Sequence, residues 1–494
     1  MDAKLNFSTL KALAARVPLL LKVTVLHVLK RSPAAGKQDL QVELTVNLIR
    51  SFISFDYPLG KTQRSTLKDP GIKGPMWVSK IKMPKPAESS VLQSLIKAIE
   101  HHKEGHETYD VPQLADVEAE WTGHRSGVNA KAPQPDVSEA EKYKSMMAEV
   151  KEDVTILYFH GGAYYLMDPC SHRPTTARLA KETGGRCLSV RYRLAPQNPF
   201  PAALLDALVA YLYLLSPPEG SLHTPVPANK IVFAGDSAGG GLSLALLQTI
   251  LTIRHMSPNP TIQFHGKDVP VELPAGVATS SPFGDITLSL PSTSKNLHLD
   301  YLIPIHDPNR EFKPMPFPDD AFWPTSPPRA ELYANADILT HPFVSPLSGP
   351  KEIWKDAPPI FITIGEELIE DDGTYLAKKV HEAGGTAVLE RFDGMPHCFA
   401  LIFGDSAAGK RCYRGWADFC LDAVHGRVKR TGQALYIHRD GRGTVTKELG
   451  EIGSLSLEEV QRMIDAGRDW RVKGEAALVK AWEQSQNKAN KAKL

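Results

Sequence analysis

From about residue 154 the chain alternates between short, nearly continuous apolar runs and longer stretches with helical spacing. The runs are Val154-Thr-Ile-Leu-Tyr-Phe159, Cys187-Leu-Ser-Val190, Ile231-Val-Phe-Ala234, Gly276-Val-Ala-Thr279, Ile360-Phe-Ile-Thr-Ile364 and Ala387-Val-Leu389. Residues 173–183, 201–215, 238–254 and 373–383, which lie between them, predict helices. Strands that are apolar on both faces and separated by helices predict an α/β fold with a mostly parallel sheet and helices on both faces. Upstream, Val117-Glu-Ala-Glu-Trp121 alternates like an edge strand, and residues 88–100 have the spacing of an amphipathic helix. Residues 1–112 otherwise carry no clear strand series, and the Pro and Gly crowded between Pro70 and Pro86 predict loops between helices.

The alternation stops between Pro282 and Pro346, where Pro, Asp and aromatic residues dominate. It resumes, then ends in a helix around 409–424. Residues 426–494 read as a polar extension in which Ser456-Leu-Glu-Glu459 is a capping box opening a short helix. The expected organisation is an N-terminal helical cap region (1–112), an α/β core (113–425) with 282–346 as an excursion over its active end, and a C-terminal extension (426–494).

Composition narrows the function classes. Lys and Arg number 57 against 56 Asp and Glu, for a net charge of +1, so no electrostatic argument favours a nucleic-acid partner. Five cysteines, an odd and irregularly spaced set, make no disulfide framework and no zinc spacing, which predicts a reducing, intracellular setting. The apolar stretch Val17–Leu29 is broken by Lys22 and His27, ends at Lys30-Arg31, and lacks both a cleavage site and the ~20 apolar residues of a span. It predicts a helix packed on the core as part of a cap, with peripheral membrane contact as the alternative. The terminal Ala492-Lys-Leu494 resembles a peroxisomal address, so the cytoplasm and the peroxisome both stand as locations.

Candidate chemistry sits at the ends of the apolar runs. Gly235-Asp-Ser237-Ala-Gly239 follows one run and opens a helix, the context of a nucleophile elbow. Glycines are needed there because neighbouring backbone comes too close for a Cβ. Gly404-Asp-Ser406-Ala-Ala408 imitates it, but lacks the second glycine and follows the best histidine candidate; Ser406 or Asp405 is expected to cap a helix instead. His160-Gly-Gly-Ala163 follows the run ending at Phe159. The N–H groups of Gly161, Gly162 or Ala163, with that of Ala238, are candidates for an oxyanion hole.

These motifs, with Tyr192-Arg-Leu-Ala-Pro196, Phe200-Pro-Ala-Ala203, Asp206 and Ser281-Pro-Phe-Gly-Asp285, resemble the hormone-sensitive-lipase-like branch of the α/β-hydrolases over roughly residues 116–425. The resemblance implies the α/β-hydrolase fold with a helical cap, a Ser–acid–His order along the chain, and a serine carboxylesterase or lipase-like activity without metal or organic cofactor. Ser237 is then the nucleophile, and His397 in Gly394-Met-Pro-His397 the base. Gapless alignment of Gly365-Glu-Glu367 with the family's acid loop makes Glu367 the acid, with Asp371 and Glu366 as fallbacks otherwise expected on a solvated turn. Ala163 replaces the family's third glycine and narrows the space beside the hole. Cys398 reads as a small buried residue. The expected partner is a small-molecule ester with a small or medium acyl group. Acyl transfer, lactone or amide cleavage with the same triad, and a non-catalytic receptor on the same fold, remain alternatives.

Overall fold

The computed structural model describes residues 7–53, 55–304 and 311–491. Ten strands form one sheet: β1 (Met76–Met83), β2 (Val117–His124), β3 (Thr155–Phe159), β4 (Arg186–Arg191), β5 (Ile231–Asp236), β6 (Gly276–Ser280), β7 (Ile360–Gly365), β8 (Ala387–Phe392), β9 (Gln433–Ile437) and β10 (Thr444–Lys447). Their spatial order is β1-β2-β4-β3-β5-β6-β7-β8-β9-β10. From β4 to β9 every pairing is parallel, whereas β1–β2, β2–β4 and β9–β10 are antiparallel.

The uniform apolarity of the central strands follows from cover on both faces. Along β3, Leu157 and Phe159 join one core with the helices Ser90–His102, Ala202–Leu215, Ala238–Met256 and Glu370–Glu382. Ile156 and Tyr158 join the opposite core with Pro169–Thr183 and Ala407–Val424. Alternate side chains point to opposite faces, so a strand between two helical layers has no solvent-facing row.

Three expectations need correction. Residues 76–83, expected to be loop, form β1, which pairs with β2 from Met76↔His124 to Met83↔Val117. Val78 and Met83 are buried and Lys80 and Lys82 exposed, the mark of an edge strand whose lysines discourage further pairing. Strand β2 is therefore the second strand, not the edge. The sheet also continues past residue 425: β9 lies parallel to β8 from Val388↔Gln433 to Phe392↔Ile437, so one sheet draws strands from both sides of residues 112 and 425. Finally, the helix opened by Ser456 is long, Leu457–Lys491, although its capping box is as expected, with Glu459 N–H on Ser456 Oγ and Ser456 N–H on Glu459 Oε2.

The excursion after Pro282 has little regular structure, a one-turn helix Ser292–Lys295 and a 3₁₀ turn Ala336–Ile338. Its polar backbone is satisfied from elsewhere. Glu475 of the long helix accepts from the N–H groups of Ala330 and Ala336, and Gln461 from that of Gly349. The Ala492-Lys-Leu494 tripeptide lies outside the described residues.

Candidate active site

The candidate site lies at the carboxyl ends of β3, β5, β7 and β8, where the chain turns from strand to loop. Ser237 follows β5 with φ 52° and ψ −123°, a left-handed conformation rare for a side-chain-bearing residue. The strain is held from both sides: Ser237 N–H donates to Ser280 O, and its carbonyl accepts from Gly241 and Phe283. A Cβ on Gly239 would lie 2.0 Å from Phe159 O, and one on Gly235 2.4 Å from Gly239 O, so both glycines are sterically required. The imitation at 404–408 is the helix cap expected of it, Ser406 Oγ accepting from Gly409 N–H.

The loop after β3 is equally constrained. Gly162, Ala163 and Tyr164 all have positive φ. The His160 ring stacks on Tyr192 at 4.3 Å, and Tyr192 Oη donates to His160 O. Burial pushes the imidazole of His160 down to about 4, so it is neutral at ordinary pH and serves as a wall. Gly161 departs from its expected role, because its N–H donates to Asp236 Oδ1 at 3.2 Å. The N–H groups of Gly162 and Ala163 find no acceptor among the described residues. That of Ala238 belongs to the first helical turn, which has no partner within the helix. The expected four donors therefore reduce to these three.

The acid and base loops meet at a buried hydrogen bond, His397 Nδ1 to Glu367 Oε1 at 3.0 Å. Glu367 is fully buried and its second oxygen accepts from Ser281 Oγ at 2.7 Å and Gly365 N–H at 2.9 Å. Both fallback acids are turned away from the imidazole. Glu366 pairs with Lys37 and Arg391 and accepts from Gly394 N–H, while Asp371 accepts from Ser292 N–H. Glu366 is buried and Asp371 half-buried rather than on a solvated turn, because β7 runs directly into the following helix and the excursion packs over it.

His397 is itself buried. Burial alone would depress its pKa, but Cys398 and Glu367 outweigh that and hold it well above the usual imidazole range. Its Nε2 rests 3.4 Å from Cys398 Sγ, and that sulfur reaches Asp236 Oδ2, next to Ser237 in the chain, at 4.0 Å. Among the described residues no hydrogen bond joins Ser237 Oγ to His397, a common state for catalytic pairs without substrate. Burial raises the Cys398 thiol to about 11, with the charge of His397 opposing.

Two residues without an assigned role at the sequence level support this pair. Ser281, in the Ser-Pro-Phe-Gly-Asp motif, donates to Glu367 and accepts from Cys398 N–H. Asp300, in the irregular excursion, is fully buried and ties the acid loop to the base loop, accepting from Leu368 N–H at 2.7 Å and His397 N–H at 3.3 Å. Burial raises its pKa, with the charge of His397 opposing. Possession of a carboxylate was the only sequence signal for Asp300. Elsewhere, Glu104, His106 and Glu107 place ligand atoms within 4.8 Å of one another, but Glu107 already accepts from three N–H groups of its own loop.

A family model described as alpha/beta hydrolase fold matches residues 156–401. An acetyl-hydrolase of Streptomyces hygroscopicus is 31% identical over 244 residues, covering 49% of this chain and 67% of that protein. An esterase of Acinetobacter venetianus is 25% identical over 260 residues, 52% of this chain and 72% of its own. The crystal structure of an esterase/lipase from an uncultured bacterium shares the fold, with a TM-score of 0.51 at 20% identity, covering 78% of this chain and 100% of that one.

Proposed function

Since the chain belongs to the α/β-hydrolase fold family and among its carboxylesterase- and lipase-type hydrolases, we propose that it cleaves a carboxylic ester of small or medium acyl chain through a Ser237 acyl-enzyme. The observation that carries the reading is the buried Glu367–His397 hydrogen bond at the sheet end that also presents Ser237 on a strained turn. An exposed carboxylate would be free to leave the imidazole. This one is immobilised by two further donors, which keep an oxygen facing Nδ1.

In the proposed sequence, Nδ1–H of His397 stays on Glu367, leaving the Nε2 lone pair to take the Ser237 proton. For that step Nε2 exchanges its contact with Cys398 for one with Ser237 Oγ, a rearrangement substrate binding would favour. The alkoxide attacks the ester carbonyl, and the oxyanion is met by the N–H groups of Ala238 and of Gly162 or Ala163. His397 protonates the departing alcohol, then activates the water that releases the acid. The name of the Streptomyces relative, an acetyl-hydrolase, supports a short acyl group, as does the Ala163 methyl beside the hole.

The test is labelling of the purified protein by a fluorophosphonate, beside hydrolysis of a p-nitrophenyl ester series. Ser237→Ala should abolish labelling and lower kcat/KM on the order of 10⁴-fold. Equal labelling and turnover in the variant would overturn the assignment.

A further inference from the structure

The sequence between Asp2 and Asp39 holds Lys4, Lys11, Arg16, Lys22, Lys30, Arg31 and Lys37 and not one acidic residue, in a chain whose charges balance only as a whole. Its centre is the helix Val17–Val28. At about 100° per residue, Val17, Leu21, Val25 and Val28 fall within roughly 80° of arc, opposite Val23. Val23 is buried, whereas the four are 48, 62, 55 and 68% exposed, and Leu29 continues the face at 55%. This helix thus has two apolar faces, one on the protein and one in water. Lys22, Lys30 and Arg31 are exposed around the second.

We propose that this face docks the protein on an anionic lipid surface, the helix lying in the headgroup plane. A stripe of aliphatic side chains flanked by lysine and arginine, in a segment with no acidic residue of its own, is complementary to such a surface in both apolarity and charge. Spanning is excluded for this helix: its 12 residues extend about 18 Å, against a hydrocarbon core of about 30 Å. A second copy is the less fitting occupant, because a two-fold contact would bring the basic flanks of two copies together.

The element is braced rather than loose. Glu43 of the helix Leu40–Arg50 holds both His27 and Ser32. Arg16 donates to Ser51 and lies 4.3 Å over the ring of Phe52, itself 48% exposed. The following segment reaches the candidate site: Gln38 donates to the carbonyls of Leu299 and Gly394, and Lys37 pairs with Glu366. The segment that follows the helix is thus tied to residues next to Asp300, Glu367 and the loop of His397.

The test is co-sedimentation of the full chain with phosphatidylcholine vesicles, with and without phosphatidylserine. Light scattering and the melting temperature are recorded for each protein. The expected result is binding that requires phosphatidylserine, weakens in 1 M salt, and falls at least about tenfold in Leu21→Asp/Val25→Asp. Leu21→Ser/Val25→Ser serves as the milder variant should the charged pair fail to fold. Since no residue on this face of the helix Val17–Val28 belongs to the proposed triad, turnover of a water-soluble ester should not change in either variant, which separates failure here from failure of the hydrolase reading. Absent or phosphatidylserine-independent binding would overturn the proposal. So would a dimer in light scattering that the same substitutions dissolve without any vesicle binding.

Discussion

Replacing Glu367 by Gln tests the site at a single atom. Gly365 N–H and the Ser281 hydroxyl both donate to Oε2, and the Ser281 oxygen is itself held by Cys398 N–H, so this corner requires an acceptor. A glutamine must therefore put its carbonyl there and turn its NH₂ toward His397 Nδ1, 3.0 Å away. Facing a donor, Nδ1 has to become the acceptor, and the imidazole proton moves to Nε2, the nitrogen meant to receive the serine proton. Volume, burial and two of the three hydrogen bonds survive, so the fold should hold while catalysis fails by about 10⁴ in kcat/KM, or about 5 kcal/mol of transition-state stabilisation. The assay is kcat/KM on a p-nitrophenyl ester for wild type and variant, with thermal melts of both. A loss under about tenfold with an intact melt would refute the reasoning. If Asp300→Asn then showed the full loss, the acid would be Asp300.

Three further outcomes follow from the same geometry. The base must be unprotonated to act and His397 is held well above 6.5, so kcat/KM should climb with pH through a value above 6.5 and be lost below it; a half-maximum at or below 6.5 on an ester with a pH-insensitive leaving group would contradict this. Gly239→Ala would set a methyl 2.0 Å from Phe159 O and should cost more than about 4 kcal/mol in denaturant unfolding, or prevent folding altogether. Asp300→Asn can keep a carbonyl on the N–H groups of His397 and Leu302 but then turns its NH₂ on the N–H of Leu368, and should cost about 1–3 kcal/mol by the same measurement.

What the sequence disclosed and what it concealed divide along a physical line. The elbow around Ser237 was legible because its glycines answer a local steric demand, written within five residues. Glu367 could be told from Glu366 only by alignment to the family's acid loop, since two adjacent glutamates differ in nothing but which face of the turn they occupy, and that is decided by Ser281, 86 residues away. Asp300 was invisible for the same reason: it acts on Leu368 and His397 across separations of 68 and 97 residues, inside a segment with no periodicity. Strand β1 was hidden by its edge position, where lysines replace the apolar signature of the interior, and β9 by its brevity between polar turns. Gly161 illustrates the opposite error, a motif position whose expected N–H is taken by a neighbouring carboxylate.

The long C-terminal helix bears on how the chain is made. Glu475 secures Ala330 and Ala336 across 145 and 139 residues. On a ribosome adding roughly 5–20 residues per second, the excursion exists for on the order of ten seconds before its support is synthesised. The strands up to β6 and the elbow, already made, can pack as β7 to β9 join them during that interval, while the covering segment has little helix of its own and lacks its distant partner. The order of translation thus separates the making of the catalytic sheet from the closing of its roof, and a ribosome stalled near residue 450 would hold a chain with the first and without the second.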